Sequence, residues 1–182
     1  MIKYLYILII FFFNINSNAS NKENIINNLK NTRNFNFDFE QNINKKIEKG
    51  NCIIEYPQKI YCEYSGTNDK ILVSNGKSLV IKTKVGYYRY PLNKTPLYLI
   101  LDKNFLINKI NKLEERIIDN SIINFTIKEN NYEVNIFFDE RTFNLIGWQT
   151  KDVYQNLNIT FLSSVKRNEV IEKDIFKLPL QN

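Results

Sequence analysis

The sequence predicts a mainly β protein in which one strongly curved antiparallel sheet is covered by an N-terminal helix and a short mid-chain helix. Apolar and polar residues alternate through most of the chain, as they do on strands with one buried face. Short turn signals separate the alternating segments, and only two segments show helical spacing. About ten antiparallel strands in one sheet must curl or close, and helices with apolar faces must be buried against that sheet.

Residues 1–19 have the pattern of a secretory signal peptide. Lys3 precedes an unbroken apolar run from Tyr4 to Phe13, and Ser17-Asn18-Ala19 fits a small-x-Ala cleavage site. The run is about half of the roughly 20 residues that a spanning helix needs. We therefore expect export with cleavage rather than an uncleaved membrane anchor.

Residues 20–182 are enough for a single domain with its own core. Ser20 has no thiol, so the cleaved end is not expected to carry a diacylglycerol anchor. The whole chain has a formal net charge of +6 without a run of like charges, which is typical of a solvated surface. The excess could also favour acidic partners or anionic lipid headgroups, but a nucleic-acid partner is not expected.

The chain contains no histidine, which excludes Ser-His and Cys-His nucleophile pairs. Two cysteines without histidine make a poor zinc site. The adjacent carboxylates Glu114-Glu115 and Asp139-Glu140 lie near predicted strand ends, where neighbouring side chains point to opposite faces. We expect a protein that is not an enzyme and needs no metal and no cofactor.

The first predicted element is an amphipathic helix from Lys22 to Arg33, with Asn21 as its possible N-cap. Its apolar positions have helical spacing and are Ile25, Ile26 and Leu29. From Asn34 the apolar period changes to two, which predicts a strand whose buried face carries Phe35, Phe37 and Phe39.

Two hairpins and a tyrosine-rich strand are predicted next. Pro57-Gln58 separates the first pair of strands and Asn75-Gly76 the second, an Asn-Gly pair being a strong hairpin signal. The predicted strands are Asn51 to Tyr56, Lys59 to Tyr64, Lys70 to Ser74, Ser78 to Lys84 and Val85 to Leu92.

Thr95-Pro96 predicts the start of the mid-chain helix, with threonine as the cap and proline at the first helical position. Its apolar side would carry Leu97, Leu99, Ile100 and Leu101. Strands then resume at about Lys112 to Asp119, Ile122 to Glu129, Tyr132 to Asp139, Leu145 to Thr150 and Leu157 to Val165.

Cys52 and Cys62 are equally far from Pro57, so a hairpin centred there places them directly opposite each other. An oxidising compartment would then favour a disulfide, and the alternative is two buried free thiols. Ile54, Ile60 and Tyr64 share the face of the two cysteines, and we expect that face to be buried.

The order of these elements and several local strings resemble the LolA proteins, the periplasmic outer-membrane lipoprotein carrier family. No single string is specific, but their order and spacing together are. The strings are Phe35-x-x-x-Phe39-x-Gln41, the Pro57 hairpin, Ile71 to Lys77, Thr95-Pro96-Leu97, Phe138 to Arg141, Leu145-Ile146-Gly147-Trp148, Asp152, Thr160, Leu162 and Asp174-Ile175-Phe176.

The resemblance implies an unclosed β-barrel whose concave apolar side holds the acyl chains of lipoproteins. It also implies a periplasmic monomer that takes acylated lipoproteins from an inner-membrane ABC transporter and passes them to an outer-membrane acceptor lipoprotein. Three alternatives remain: the acceptor itself, which would need a cysteine where Ser20 stands, a lipid- or lipoprotein-sensing regulatory module of the same fold, and a secreted hydrolase that uses carboxylates.

Under this interpretation the apolar faces of the strands and the helices enclose a chamber with room for hydrocarbon tails. Many family members have an arginine just before the hairpin proline, and Tyr56 stands there in this chain. We expect its hydroxyl to donate a hydrogen bond to a backbone carbonyl of the covering helices and so form a weaker latch. The expected lining residues are Leu29, Phe37, Phe39, Ile54, Tyr56, Ile60, Tyr64, Leu97, Ile100, Leu101 and Trp148.

Overall fold

The structure is a computed structural model that describes residues 19–66, 69–151 and 156–181. Residues 1–18 of the expected signal peptide and Asp152 of the family pattern lie outside these ranges. The described helices are α1 (Asn21–Asn31), a 3-10 turn (Leu92–Lys94), α2 (Leu97–Leu101) and α3 (Lys103–Lys112).

Within the described ranges, eleven strands form one sheet that is not closed. The strands are β1 (Asn34–Ile43), β2 (Lys46–Glu55), β3 (Lys59–Tyr64), β4 (Ile71–Asn75), β5 (Ser78–Lys82), β6 (Tyr87–Pro91), β7 (Arg116–Ile118), β8 (Ile122–Glu129), β9 (Tyr132–Asp139), β10 (Leu145–Lys151) and β11 (Leu157–Arg167). Their order is β6-β5-β4-β3-β2-β1-β11-β10-β9-β8-β7, and neighbouring strands are antiparallel. The predicted curved antiparallel sheet with covering helices is confirmed.

Helix α1 begins one residue earlier than predicted, because Ser20 rather than Asn21 is the N-cap. The Ser20 hydroxyl accepts a hydrogen bond from the Glu23 N–H at 3.3 Å, and the Glu23 carboxylate accepts one from the Ser20 N–H at 3.0 Å. This reciprocal pair is a capping box. The helix ends at Asn31 rather than at Arg33, and Ile25, Ile26 and Leu29 are its buried side.

The main difference from the prediction is in the mid-chain helix. The structure has two helices there, α2 and α3, which are separated at Asp102. Thr95 is not the cap, since its hydroxyl donates to the Leu92 carbonyl at 2.8 Å. Asp102 instead caps α3 by accepting a hydrogen bond from the Phe105 N–H at 3.0 Å. The buried residues of α3 are Leu106 and Ile110, an interval of one helical turn, and the polar residues between them weaken the apolar signal in the sequence.

Strand boundaries differ most where turns lack proline and glycine. β2 begins at Lys46 rather than at Asn51, because Asn44 and Lys45 both have positive φ and make a tight turn after β1. β7 has only three residues of the predicted eight, since α3 continues to Lys112. Register shifts on β1 and β10 mark irregular positions at which a strand bends.

Side chains from the inner faces of the strands and from all three α-helices form one apolar core. Phe37 meets the Trp148 ring edge-on with centroids 6.2 Å apart, and Phe125 meets Phe138 at 6.1 Å. We call the face of the sheet that carries these residues the concave face and the other the convex face.

Candidate functional site: the concave face and its helical cover

The structure brings the eleven predicted lining residues into the same core. Nine of them are buried, whereas Tyr64 and Leu97 are partly buried and pack against the others. The face shared by Cys52, Ile54, Ile60 and Cys62 is the buried one, as predicted. Whether these residues contact a ligand stays a prediction.

The far half of the core was not among the predicted lining residues. It comes from α3 and from the inner faces of β8 and β9. On these two strands the alternation of apolar and polar residues also predicts which side chains point inward. These residues are Leu106, Ile110, Ile123, Phe125, Ile127, Val134, Ile136 and Phe138.

The predicted chamber with room for hydrocarbon tails is wrong for this conformation, because side chains fill the space beneath the helices. A pocket of about 20 Å³ lies beside Leu29, Phe35 and Phe138. A space of that size holds about one water molecule and is far too small for a hydrocarbon chain. The side chains of the helices and the strands therefore pack directly on one another.

The predicted latch role of the Tyr56 hydroxyl is also wrong. That oxygen is buried and has no hydrogen-bond partner among the described residues. Burial raises the pKa of the Tyr56 phenol far above its usual value. The ring lies between Phe35, whose centroid is 5.8 Å away, and the Lys103 ammonium, 5.6 Å from the Tyr56 centroid.

Gln58 makes the contact that was expected of Tyr56. Its backbone N–H donates to the Leu101 carbonyl at 2.9 Å, and its side-chain Nε2 donates to Asp102 Oδ2 at 3.0 Å. The tip of the β2–β3 hairpin therefore holds the joint between α2 and α3. No sequence pattern indicated this contact, because Gln58 beside Pro57 is typical of a turn residue.

Lys103 ties the same joint to α1. Its Nζ donates to the Thr32 carbonyl at 3.0 Å and to the Lys30 carbonyl at 3.4 Å. These carbonyls lie at the C-terminal end of α1, where a cation interacts favourably with the helix dipole.

Further polar contacts, including the following three, attach the helical region elsewhere along its edge. Lys109 on α3 pairs with Glu129 on β8 at 2.6 Å. The Tyr132 hydroxyl donates to the Lys94 carbonyl at 2.7 Å, and Asn21 Nδ2 donates to Glu115 Oε1 at 3.0 Å. The helices thus sit on an apolar face and are fastened by a few hydrogen bonds around it.

Cys52 and Cys62 form the predicted disulfide. They are paired residues on β2 and β3, and the bond lies between the buried pair Ile54–Ile60 and the pair Gly50–Tyr64. The disulfide therefore cross-links the hairpin whose tip carries Gln58.

A charged residue, Glu48, lies buried on the concave face of β2. Its carboxylate accepts hydrogen bonds from Lys70 Nζ at 2.6 Å and from Lys46 Nζ at 2.8 Å. Burial opposes the charge, but the two lysine hydrogen bonds outweigh it and lower the pKa of Glu48. Sequence reasoning missed this residue because β2 was predicted to begin after it.

These features allow comparison with known proteins. The model of the family described as "Outer membrane lipoprotein carrier protein LolA" matches residues 30–179, which is most of the chain. The chain belongs to the LolA family. No curated protein sequence matches it significantly.

Solved structures that are similar to this chain are distant from it in sequence. An uncharacterized conserved protein from Thermus thermophilus is 7% identical with a TM-score of 0.52, over 88% of this chain and 95% of that chain. MucB is 9% identical with a TM-score of 0.50, and the match covers 88% of this chain but 62% of MucB. A LolA superfamily protein from Nitrosomonas europaea is 9% identical with a TM-score of 0.45, over 87% of this chain and 99% of that chain.

None of the helices within the described ranges has the length and apolar character to cross a membrane.

Proposed function

We propose that this LolA-family protein is a periplasmic carrier, without catalytic activity, that shields the acyl chains of lipoproteins between its helices and its concave face. In this role it receives acylated lipoproteins from an inner-membrane ABC transporter and delivers them to an outer-membrane acceptor lipoprotein. Membership of the LolA family supports lipoprotein binding. The observation that carries the proposal is the large apolar interface between the three α-helices and the sheet.

The physical need for such a carrier comes from the acyl chains. Burying one methylene is worth about 0.8 kcal/mol, so a sixteen-carbon chain gains roughly 10 kcal/mol on leaving water. A carrier must supply an apolar surface of comparable quality. The concave face and the apolar sides of α2 and α3 offer that surface.

Acyl chains enter this protein only if the helices move, because the space beneath them is filled. Ile100, Leu101 and Leu106 are fully buried against the sheet. An acyl chain that replaces these side chains makes apolar contacts with the sheet. The helices lose their own contacts with the sheet at the same time. The net affinity is therefore smaller than the full burial energy of the chains, which favours release to an acceptor that binds the lipid better.

The joint at residues 101–103 is a suitable point of control for this opening. Gln58 fastens it to the β2–β3 hairpin and Lys103 fastens it to α1. Each of these hydrogen bonds contributes about 1 kcal/mol, so a partner that contacts the joint could release it.

The test is to purify the mature protein from the periplasm and identify what co-purifies by mass spectrometry. The proposal expects acylated proteins that are absent when the lipidation of candidate cargo is blocked by mutation of the lipidated cysteine. Recovery of only soluble, unlipidated partners would favour the sensing module instead.

A further inference from the structure

The concave face continues beyond the helices to the edge strand β6. Ile81 on β5 is paired with Tyr88 on β6, and Leu79 is paired with Tyr90. Paired residues on neighbouring strands point to the same side of a sheet, and Leu79 and Ile81 belong to the concave core. Tyr88 and Tyr90 therefore face the concave side.

These two tyrosines are open to solvent. Tyr88 is 54% exposed and Tyr90 is 45% exposed, whereas their neighbours on β5 are buried or half-buried. Tyr87 faces the other way, and its hydroxyl donates to the Pro179 carbonyl at 3.3 Å. Ile81, Tyr88 and Tyr90 thus form an uncovered apolar strip, here called the edge strip, that is continuous with the core.

A charged cluster lies on the same face. Lys46, Glu48 and Lys70 form it, and Lys70 Nζ also lies 3.9 Å from the centroid of the Tyr64 ring. The Tyr64 hydroxyl contacts Gln41 Oε1 at 3.4 Å, and Gln41 Nε2 donates to Thr160 at 3.1 Å. Lys70 lies two residues before Leu72, which is the β4 partner of Ile81, so the cluster is next to the edge strip on the same face.

The cluster presents positive charge to the outside. The Glu48 side chain is 4% exposed, while those of Lys70 and Lys46 are 19% and 68% exposed. Two lysines and one glutamate give a net charge of +1, and the negatively charged member is the buried one. A lysine ammonium has three donor hydrogens, so Lys70 keeps donor capacity after bonding to Glu48.

We propose that the edge strip and the charged cluster together bind an anionic phospholipid. The acyl chain lies on Ile81, Tyr88 and Tyr90, and the phosphate accepts hydrogen bonds from Lys70 and Lys46. This inference rests on the proposed function in one respect, since the acyl chain uses the uncovered end of the same concave face. It adds a ligand class that is selected by headgroup charge and does not need the helices to open.

The test compares two single-chain lipids at concentrations below micelle formation, lysophosphatidylglycerol and lysophosphatidylcholine. We expect the anionic lipid to bind about tenfold more tightly, because both lipids carry a phosphate but the choline of lysophosphatidylcholine adds a cation beside Lys70 and Lys46. Lys70→Met removes that preference and Lys70→Arg keeps it. Lys59→Met is the matched control, because Lys59 also pairs with a glutamate, Glu55, but on the convex face.

A second variant distinguishes the contribution of the acyl chain to binding from that of the headgroup. It leaves the contacts of the buried Glu48 unchanged. Tyr88→Ser weakens both lysolipids by a similar factor and leaves the preference between them unchanged. Equal affinity of the wild type for the two lipids, or a preference that survives in Lys70→Met, overturns the proposal. Tight binding of glycerol 3-phosphate alone would also overturn it, because the site would then recognise free phosphate.

The same assay distinguishes failure of this inference from failure of the carrier role. A protein that binds a diacylated lipopeptide but neither lysolipid retains the proposed function and loses this site. A protein that binds neither kind of lipid loses both.

Discussion

The Gln58 side chain donates a hydrogen bond to Asp102 at the joint between α2 and α3, with Gln58 Nε2 3.0 Å from Asp102 Oδ2. Asp102 also caps α3 through the Phe105 N–H, so one carboxylate serves both the helix and the contact with the sheet. The hairpin tip at Pro57-Gln58 is thereby coupled to the start of α3. The contact between the hairpin and the helices is therefore made by a turn residue rather than by the buried tyrosine beside it.

Gln58→Ala tests this coupling. The variant loses the side-chain hydrogen bond to Asp102 but keeps the backbone bond to Leu101, so we expect a loss of about 1 kcal/mol in local stability. Amide hydrogen exchange across residues 97–112 should become several-fold faster. Gln149→Ala on β10, away from the joint, is the control. Unchanged exchange in Gln58→Ala would show that the joint is held by other contacts.

Tyr56→Phe is expected to preserve or raise stability. The Tyr56 hydroxyl is buried and finds no partner in the described part of the chain, so its removal costs no hydrogen bond. We expect a gain of up to about 1 kcal/mol in the free energy of unfolding, measured with denaturant. A destabilisation of that size would mean that the hydroxyl makes a hydrogen bond in solution.

Removal of the disulfide should lower stability without abolishing lipid binding. Cys52 and Cys62 are 10 residues apart, and a loop of that size corresponds to about 2–3 kcal/mol of stabilisation. The double variant Cys52→Ala/Cys62→Ala should show this loss in denaturant unfolding. Lipopeptide binding at low temperature should persist, since the cysteines only cross-link the hairpin. A complete loss of binding by a folded variant would contradict that assignment.

Glu48 should make stability depend on acid pH. Its folded-state pKa lies below the ordinary value of 4.5, so its contribution is present above that value. The contribution is lost as the pH falls through the lowered pKa, because protonation breaks the charge-assisted bonds to Lys46 and Lys70. Glu48→Gln should therefore be less stable than the wild type at pH 7, with a gap that narrows on acidification. A gap that is constant from pH 7 to pH 3 would contradict this.

The strands were predictable because their signal is local. Phe35, Phe37 and Phe39 alternate with polar residues, and Asn75-Gly76 fixes a turn, so the hairpins follow from neighbouring residues. The disulfide followed from the same hairpin geometry. The face of each strand that is buried could be read in the same way.

The helical cover was less predictable because its details depend on distant contacts. Asp102 breaks the mid-chain helix where Gln58, far away in sequence, provides a partner. The same limit applies to Glu48, whose lysine partner Lys70 lies just before β4 and is distant in sequence. The filled interior also has no local signal, since it depends on how side chains from separate elements fit together.

Trp148 allows the most direct measurement of the central claim. It is the only tryptophan in the chain, and it lies buried on the concave face against Phe37. Bromine atoms on an acyl chain quench tryptophan fluorescence only at close range. We predict that a diacylated lipopeptide with brominated chains quenches Trp148 in a saturable way, and that the same peptide without acyl chains does not. Saturable binding of the brominated lipopeptide with no quenching would place the acyl chains elsewhere and contradict the account.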